Sequence, residues 1–409
     1  MSKAANGRAS IHRRGDGDGW EGWVSLGTHP VTGKRWRKHV RGVTKTEVAR
    51  KIGQLQRHRH HGVPAMGQDA TLSGWLETWL AGRMAAGLRP NSIAAYRTDL
   101  KYVARCGIGR VRLQDLTPEH VEHLYCYILD LPQAGAGSTA HARRTLNAAL
   151  NIAVARGHLA RNPVRLATVP RHHQPALEPY SSEEIARLLA AARARRNGVR
   201  WSLALLGLRQ GEVLALHWTD IDLDAGELTI RHTLTWLRWQ HGCPIDEQAP
   251  TCGQPAARCP HRHSGGPHLG PPKSAAGRRT ISLPDPVIAE LRDHRARQAA
   301  ERRAAGLRWH DQDFVITNAT GGPVDRTSDR EDWHRLVTAA SVRRQRIHDL
   351  RHAAATALLV LGADSRVLLG VMGWTSMALV QRYTHIVPDI RRNIAHRQTA
   401  LWAVSEGEA

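Results

Sequence analysis

The sequence predicts a multidomain, mainly α protein with two small β regions. Three observations carry that prediction. Apolar residues recur at helical spacing through most of the chain after residue 70. Runs that alternate large and polar side chains between turn signals occur only at the start and around residues 227–283. A Pro-rich, charged stretch, "RNPVRLATVPRHHQPALEP", separates a helical middle from a long last region. We therefore divide the 409 residues into 1–66, 67–168 and 175–409.

In the first region, "GWEGWVSLG" and "GKRWRKHVRG" read as strands joined by the turn "THPVTG". A helix follows from Thr44, which sits three residues before Glu47 at capping-box spacing. In the second, "TLSGWLETWLAGRM", "RPNSIAAYRTDLKYVARC", "TPEHVEHLYCYILD" and "STAHARRTLNAALNIAVARGHL" read as four helices. Two of them have proline near the start, where its missing N–H costs nothing. The third opens on the helix "SSEEIARLLAAARARR". "GELTIRHTLTWLRW" and "GRRTISLP" read as strands around an irregular stretch, and four helical segments follow, among them "IHDLRHAAATALLVLG".

The formal net charge of +22 points to a polyanionic partner. No apolar run approaches the roughly 18 residues that a spanning helix needs, and the first residues carry no apolar export segment. Five scattered cysteines form no disulfide framework, so a reducing cytoplasm is expected. The basic charge is spread along the chain and is nearly all arginine, suited to bidentate phosphate contacts. Lys34, Arg35, Arg37, Lys38 and Arg41 fit a small sheet laid into a DNA groove; a solvated basic hairpin is the plain alternative.

Four pieces of the last region carry chemistry. Arg209 and Glu212, in "LGLRQGEVLALHW", share a helix face and, taken alone, read as a surface ion pair. Apolar flanks place that arginine near a core, where a guanidinium needs an anionic partner. His348 and Arg351 would project together from the start of an apolar helix. Lys273, in "GPPKSAAGRRTISLP", is one of few lysines; unlike arginine, a lysine among cations can have its pKa lowered and give up a proton. Finally, "VMGWTSMALVQRYTHIV" sets Trp374 nine residues before Tyr383. A phenol is only about one part in a thousand ionised at pH 7, so a nucleophilic tyrosine needs a field of positive charge or help with its proton.

In this order and spacing the four pieces resemble the tyrosine recombinases, the phage-type integrase family, here of an actinobacterial kind carried by a prophage or integrative element. The resemblance implies that Arg209 and Arg351 are the two arginines of the site, Glu212 a support, Lys273 the general acid, His348 a proton-transfer group and Tyr383 the nucleophile. Trp374 stands where the commonest members have histidine, a replacement that some members share. The first region resembles the arm-site-binding domain, a three-stranded sheet plus helix. The second resembles the helical core-binding domain, and the third the catalytic domain.

The implied activity is site-specific cleavage and rejoining of double-stranded DNA through a 3′-phosphotyrosyl intermediate, without metal or other cofactor. The implied partners are attachment-site DNA, a homotetramer, an excisionase and a host DNA-bending protein, on the bacterial nucleoid. The tail "NIAHRQTALWAVSEGEA" would pack on a neighbouring subunit. A type IB topoisomerase and a catalytically silent DNA-binding regulator on the same fold stay open as alternatives. The stretch 240–272 holds Cys243, Cys252, Cys259, His261, His263 and His268, with no C-x2-C pair beside its histidines. It reads as a flexible Gly/Pro-rich loop rather than a zinc site.

Overall fold

The computed structural model describes residues 10–15, 17–28, 35–60, 70–170, 178–246, 249–381 and 383. The chain divides into two compact units, Met1–Pro175 and Ala176–Ala409. The proposed tail contact and Lys34 fall outside the described residues. Among the described residues, no helix is long and apolar enough to cross a membrane.

The first unit begins with an antiparallel sheet of β1 (Ser10–Arg13), β2 (Trp20–Thr28) and β3 (Arg35–Gly42), in that order. The residues of β1, "SIHR", carry no alternating apolar signal; the strand exists because Ile11 pairs with Gly22 at the sheet edge. Helix α1 (Lys45–His60) covers one face, where Val24 and Val40 meet Val48 and Ile52. The Glu47 N–H donates to Thr44 Oγ1 at 3.2 Å, as a capping box requires. Its carboxylate accepts from Val43 N at 3.0 Å, one residue earlier than the motif's usual partner. Alternation along the strands turns Trp23, Arg37, His39 and Arg41 to the other face. There Trp23 stacks on His39 with centroids 4.4 Å apart, and both arginines are exposed. Arg35 and Lys38 are residues of β3.

Four helices complete this unit: α2 (Leu72–Ala85), α3 (Pro90–Cys106), α4 (Pro118–Leu129) and α5 (Ala136–Ala155). Pro90 and Pro118 are the first helical residues, as the sequence reading required. Leu72, Trp75, Leu76, Leu124, Ile128, Leu146 and Leu150 form the core. The one polar atom of Trp75 is satisfied there, with Nε1 donating to the Ala149 carbonyl at 3.1 Å.

The second unit opens with α6 (Ser182–Arg193), α7 (Val199–Leu205) and α8 (Gln210–Val213). Seven short strands follow: β4 (Ile221–Asp222), β5 (Glu227–Ile230), β6 (Thr233–Leu237), β7 (Ile245–Asp246), β8 (Ala249–Pro250), β9 (Gly266–Gly270) and β10 (Arg279–Ser282). Helices α9 (Asp285–Ala305), α10 (Arg326–Ala339), α11 (Asp349–Val360), α12 (Ser365–Met372) and α13 (Met377–Gln381) close it. The expected single strand over "GELTIRHTLTWLRW" is two. Its halves take different partners, β5 pairing with β10 and β6 with β9, so the chain breaks step at Arg231–His232. The supposed flexible loop is also structured, with the β7–β8 hairpin and a 3-10 turn at Ala256–Arg258.

An ion pair lies inside this unit. Arg200 and Asp329, 4% and 1% exposed, meet at 2.7 Å and join α7 to α10. Asp332 takes a second guanidinium nitrogen at 2.8 Å, and Gln210 donates to the other Asp329 oxygen at 2.7 Å. Removing one partner of such a pair leaves a buried charge uncompensated. Asp329→Ala is expected to lower unfolding stability by about 3–5 kcal/mol. The exposed Glu331→Ala should stay within about 0.5 kcal/mol. Urea unfolding of the two variants checks this, and equal effects would contradict it.

Candidate active site

Glu212 organises the site. Arg209 does not lie on the helix, as the sequence reading had it, but caps α8 in an extended conformation. Glu212 is the third helical residue and bends back. One carboxylate oxygen accepts from Arg209 Nη1 at 2.6 Å, and the other accepts from the Arg209 backbone N–H at 3.0 Å. Arg279, on β10, reaches that second oxygen at 3.1 Å. Burial alone would raise the carboxyl pKa, but the Arg279 and Arg209 cations and the backbone N–H outweigh it and hold the group below the ordinary range.

Three guanidiniums converge from here on the end of α12. Arg279 Nε donates to the Val371 carbonyl at 2.6 Å, and Arg209 Nη2 to the Gly373 carbonyl at 3.3 Å. Arg351, 3% exposed on α11, donates to the Met372 and Gly207 carbonyls. The last carbonyls of a helix lack internal partners and carry its negative dipole end, so arginine satisfies both needs there. Two glycines allow the approach. Gly207, at φ +91°, leaves no room for a Cβ against Met372 Sδ. Gly373 ends α12 at φ +57°, with the Ala276 carbonyl 2.8 Å from where a Cβ would stand.

Trp374 follows directly. Its ring centroid lies 5.8 Å from the Arg351 guanidinium, and the ring stacks on Tyr383 at 5.5 Å, 18° from parallel. Tyr383 is 2% exposed, packed with Ala355, Leu368, Met372 and Val380. Its hydroxyl is hydrogen-bonded to His352 Nδ1. Thus the phenol is both a wall of a small apolar cluster and a neighbour of the arginines. Three guanidiniums against one carboxylate leave surplus positive charge beside it.

His348 caps α11 and stands edge-on to His352 at 5.2 Å. Its pKa is pulled down to about 4 by desolvation, then by His352, Arg351 and Arg209, so the ring is a neutral proton acceptor at pH 7. Lys273 is exposed, in the connection between β9 and β10 rather than in a tight hairpin turn. That connection still touches the site, because Ala276 packs against Gly373. The sequence reading overlooked Arg279 and His352. Both had signals: Arg279 is the second arginine of "GRRTISLP", and His352 lies one helical turn beyond His348.

A model of the phage integrase family matches residues 279–389, a span holding Arg279, His348, Arg351, Trp374 and Tyr383. An integrase of Saccharopolyspora erythraea is 36% identical over 431 residues, covering 98% of each chain. A XerC-like tyrosine recombinase of Caldanaerobacter subterraneus is 26% identical, covering 88% of this chain and 91% of its own. The fold is shared with the Tn1549 transposon integrase, solved in complex with a circular intermediate DNA. That likeness has a TM-score of 0.63 at 16% identity and covers 80% of this chain and 99% of the other. A lambda integrase dimer bound to a core site gives a TM-score of 0.53 at 17% identity, over 76% and 95%. The chain belongs to the phage integrase family, the tyrosine-type site-specific recombinases.

A depressed histidine pKa has a definite sign. The unfolded chain takes up the proton first, so the His348 contribution to stability is complete above about 6.5 and is lost as pH falls toward about 4. An NMR titration should place the His348 midpoint near 4 and move it upward in Arg351→Ala. A midpoint at the ordinary value of 6.5 would contradict the crowding described.

Proposed function

We propose that the chain integrates and excises a mobile element by cleaving attachment-site DNA with Tyr383. The phenolic oxygen attacks the scissile phosphorus and the 5′-oxygen leaves, giving a 3′-phosphotyrosyl link and a free 5′-hydroxyl. The 5′-hydroxyl of a partner strand then reverses the step, so no external energy source is needed. The observation that supports this best is the stack of Arg351, Trp374 and Tyr383 beside an arginine cluster with surplus charge.

In this reading Arg209 and Arg351 donate to the non-bridging oxygens, and Trp374 adds its indole N–H. Each such donor is worth about 3 kcal/mol of barrier by analogy with an oxyanion-hole donor. Glu212 and Arg279 orient them. To attack, the Tyr383 hydroxyl exchanges its hydrogen bond to His352 for the phosphorus. The neutral His348 imidazole accepts the released proton, directly or through His352. Lys273 protonates the departing 5′-oxygen, its connection swinging over the bound strand. Arg37 and Arg41 on the N-terminal sheet contact the phosphates of a second DNA site, together with Lys34, Arg35 and Lys38. The regions 1–66, 67–168 and 175–409 act as arm-site-binding, core-binding and catalytic domains. Strand exchange between two duplexes requires four such sites, hence a homotetramer, with the C-terminal tail joining subunits. An excisionase and a host bending protein set direction, and the working location is the cytoplasmic nucleoid.

Tyr383→Phe should abolish covalent protein–DNA complexes on a suicide substrate while leaving affinity within about twofold, because phosphate contacts dominate binding. A cleaving variant would mean a different nucleophile. Lys273→Ala should be slow on ordinary DNA but near normal on DNA whose bridging 5′-oxygen is replaced by sulfur, since a thiolate, the conjugate base of an acid with a pKa of about 8.5, leaves without protonation. Equal slowing on both substrates would remove Lys273 from the general-acid role.

A further inference from the structure

Among the side chains described between β6 and β9, those of 238–244, 246 and 249–265, only Cys243 and Cys259 are buried, and none of them builds an apolar core. Even so, the segment holds a defined shape, with the β7–β8 hairpin and a bridge between Gln240 and His263. A lobe this small needs a cross-link, because it cannot bury enough apolar surface to order itself.

Four side chains meet at its centre. His241 Nδ1 lies 3.5 Å from Cys252 Sγ and 3.7 Å from Cys243 Sγ, and Cys243 Sγ lies 3.7 Å from Cys259 Sγ. All four candidate ligand atoms fall within 4.8 Å of one another. These separations are too long for a disulfide, whose sulfurs stand about 2.05 Å apart. They are the edges of a tetrahedron around zinc. With Zn–S of about 2.3 Å and Zn–N of about 2.05 Å, tetrahedral geometry requires about 3.8 Å between sulfurs and about 3.6 Å from nitrogen to sulfur.

We propose that His241, Cys243, Cys252 and Cys259 bind one structural zinc ion that holds this lobe together. The site is closed, with three thiolates and one imidazole, and leaves no open position for catalysis. Binding releases the three thiol protons to solvent as the thiolates form. The local backbone fits the task. Gly242, between two ligands, packs so tightly that a Cβ would stand 2.2 Å from the His261 carbonyl oxygen. His263 Nε2 is within 3.2 Å of the His241 carbonyl, supporting the ligand's backbone. The sequence reading weighed His261, His263 and His268 and passed over His241, which supplies the fourth atom. A second group, His217, Asp220 and His232, is weaker because Asp220 is already paired with Arg231 at 3.1 Å.

The lobe ends in β9, and the Lys273 connection follows, so the metal would fix the base of that connection without taking part in the chemistry. Full-length protein purified under reducing conditions without chelator should carry about one zinc per chain by mass spectrometry of the metal. After zinc removal, Co²⁺ should give the intense thiolate charge-transfer and tetrahedral ligand-field absorption of a Cys₃His site. The Cys243→Ser/Cys259→Ser variant should lose the metal, and His268→Ala should keep it. Absence of zinc from purified and zinc-reconstituted protein, a pale octahedral Co²⁺ spectrum, or full zinc retention by the double variant would each overturn the proposal. Should the double variant aggregate, the Co²⁺ spectrum of the unaltered chain decides alone.

Discussion

Everything at the candidate active site hangs on one buried carboxylate. Glu212 gives both oxygens to Arg209 and Arg279, and the arginines in turn hold the carbonyls that end α12. Without that negative charge, neighbouring guanidiniums would repel one another in a region with little water to screen them. With it, they are fixed before any substrate arrives. That is the condition for a donor to stabilise developing charge without first reorganising.

The cluster is incompletely neutralised by design of its parts. One carboxylate serves three cations, and its oxygens are already taken by hydrogen bonds. The remaining positive charge lies beside Trp374 and Tyr383, and it adds to burial and to His352 in keeping the nearby His348 imidazole unprotonated. The same field therefore attracts a phosphodiester, disfavours a proton on histidine and favours loss of one from a phenol.

Most helices were legible because their apolar periodicity and their caps agree, as at Pro90, Pro118 and Ser181. The site residues were legible through their order along the chain, which no single pair would have revealed. Strand β1 was not readable from its own residues, since a polar edge strand is defined by its partner. Nor was the break between β5 and β6 visible, because it depends on which distant strand each half meets. Arg279 looked like one more basic residue in a basic chain; only its burial against Glu212 distinguishes it. The cysteine lobe failed for a different reason. Its ligands come from a hairpin and a turn whose closure cannot be inferred from motif spacing.

The junction at Gly373 joins two parts of the site that are far apart in sequence. Its carbonyl receives Arg209, its position beyond α12 sets where the indole begins, and its bare α-carbon accommodates the Ala276 carbonyl of the lysine-bearing connection. Under the proposed function, the two flanks of the scissile phosphate are thus gauged from one residue. Any methyl group added there would shift both flanks at once, so evolution can retune neither independently while that contact persists.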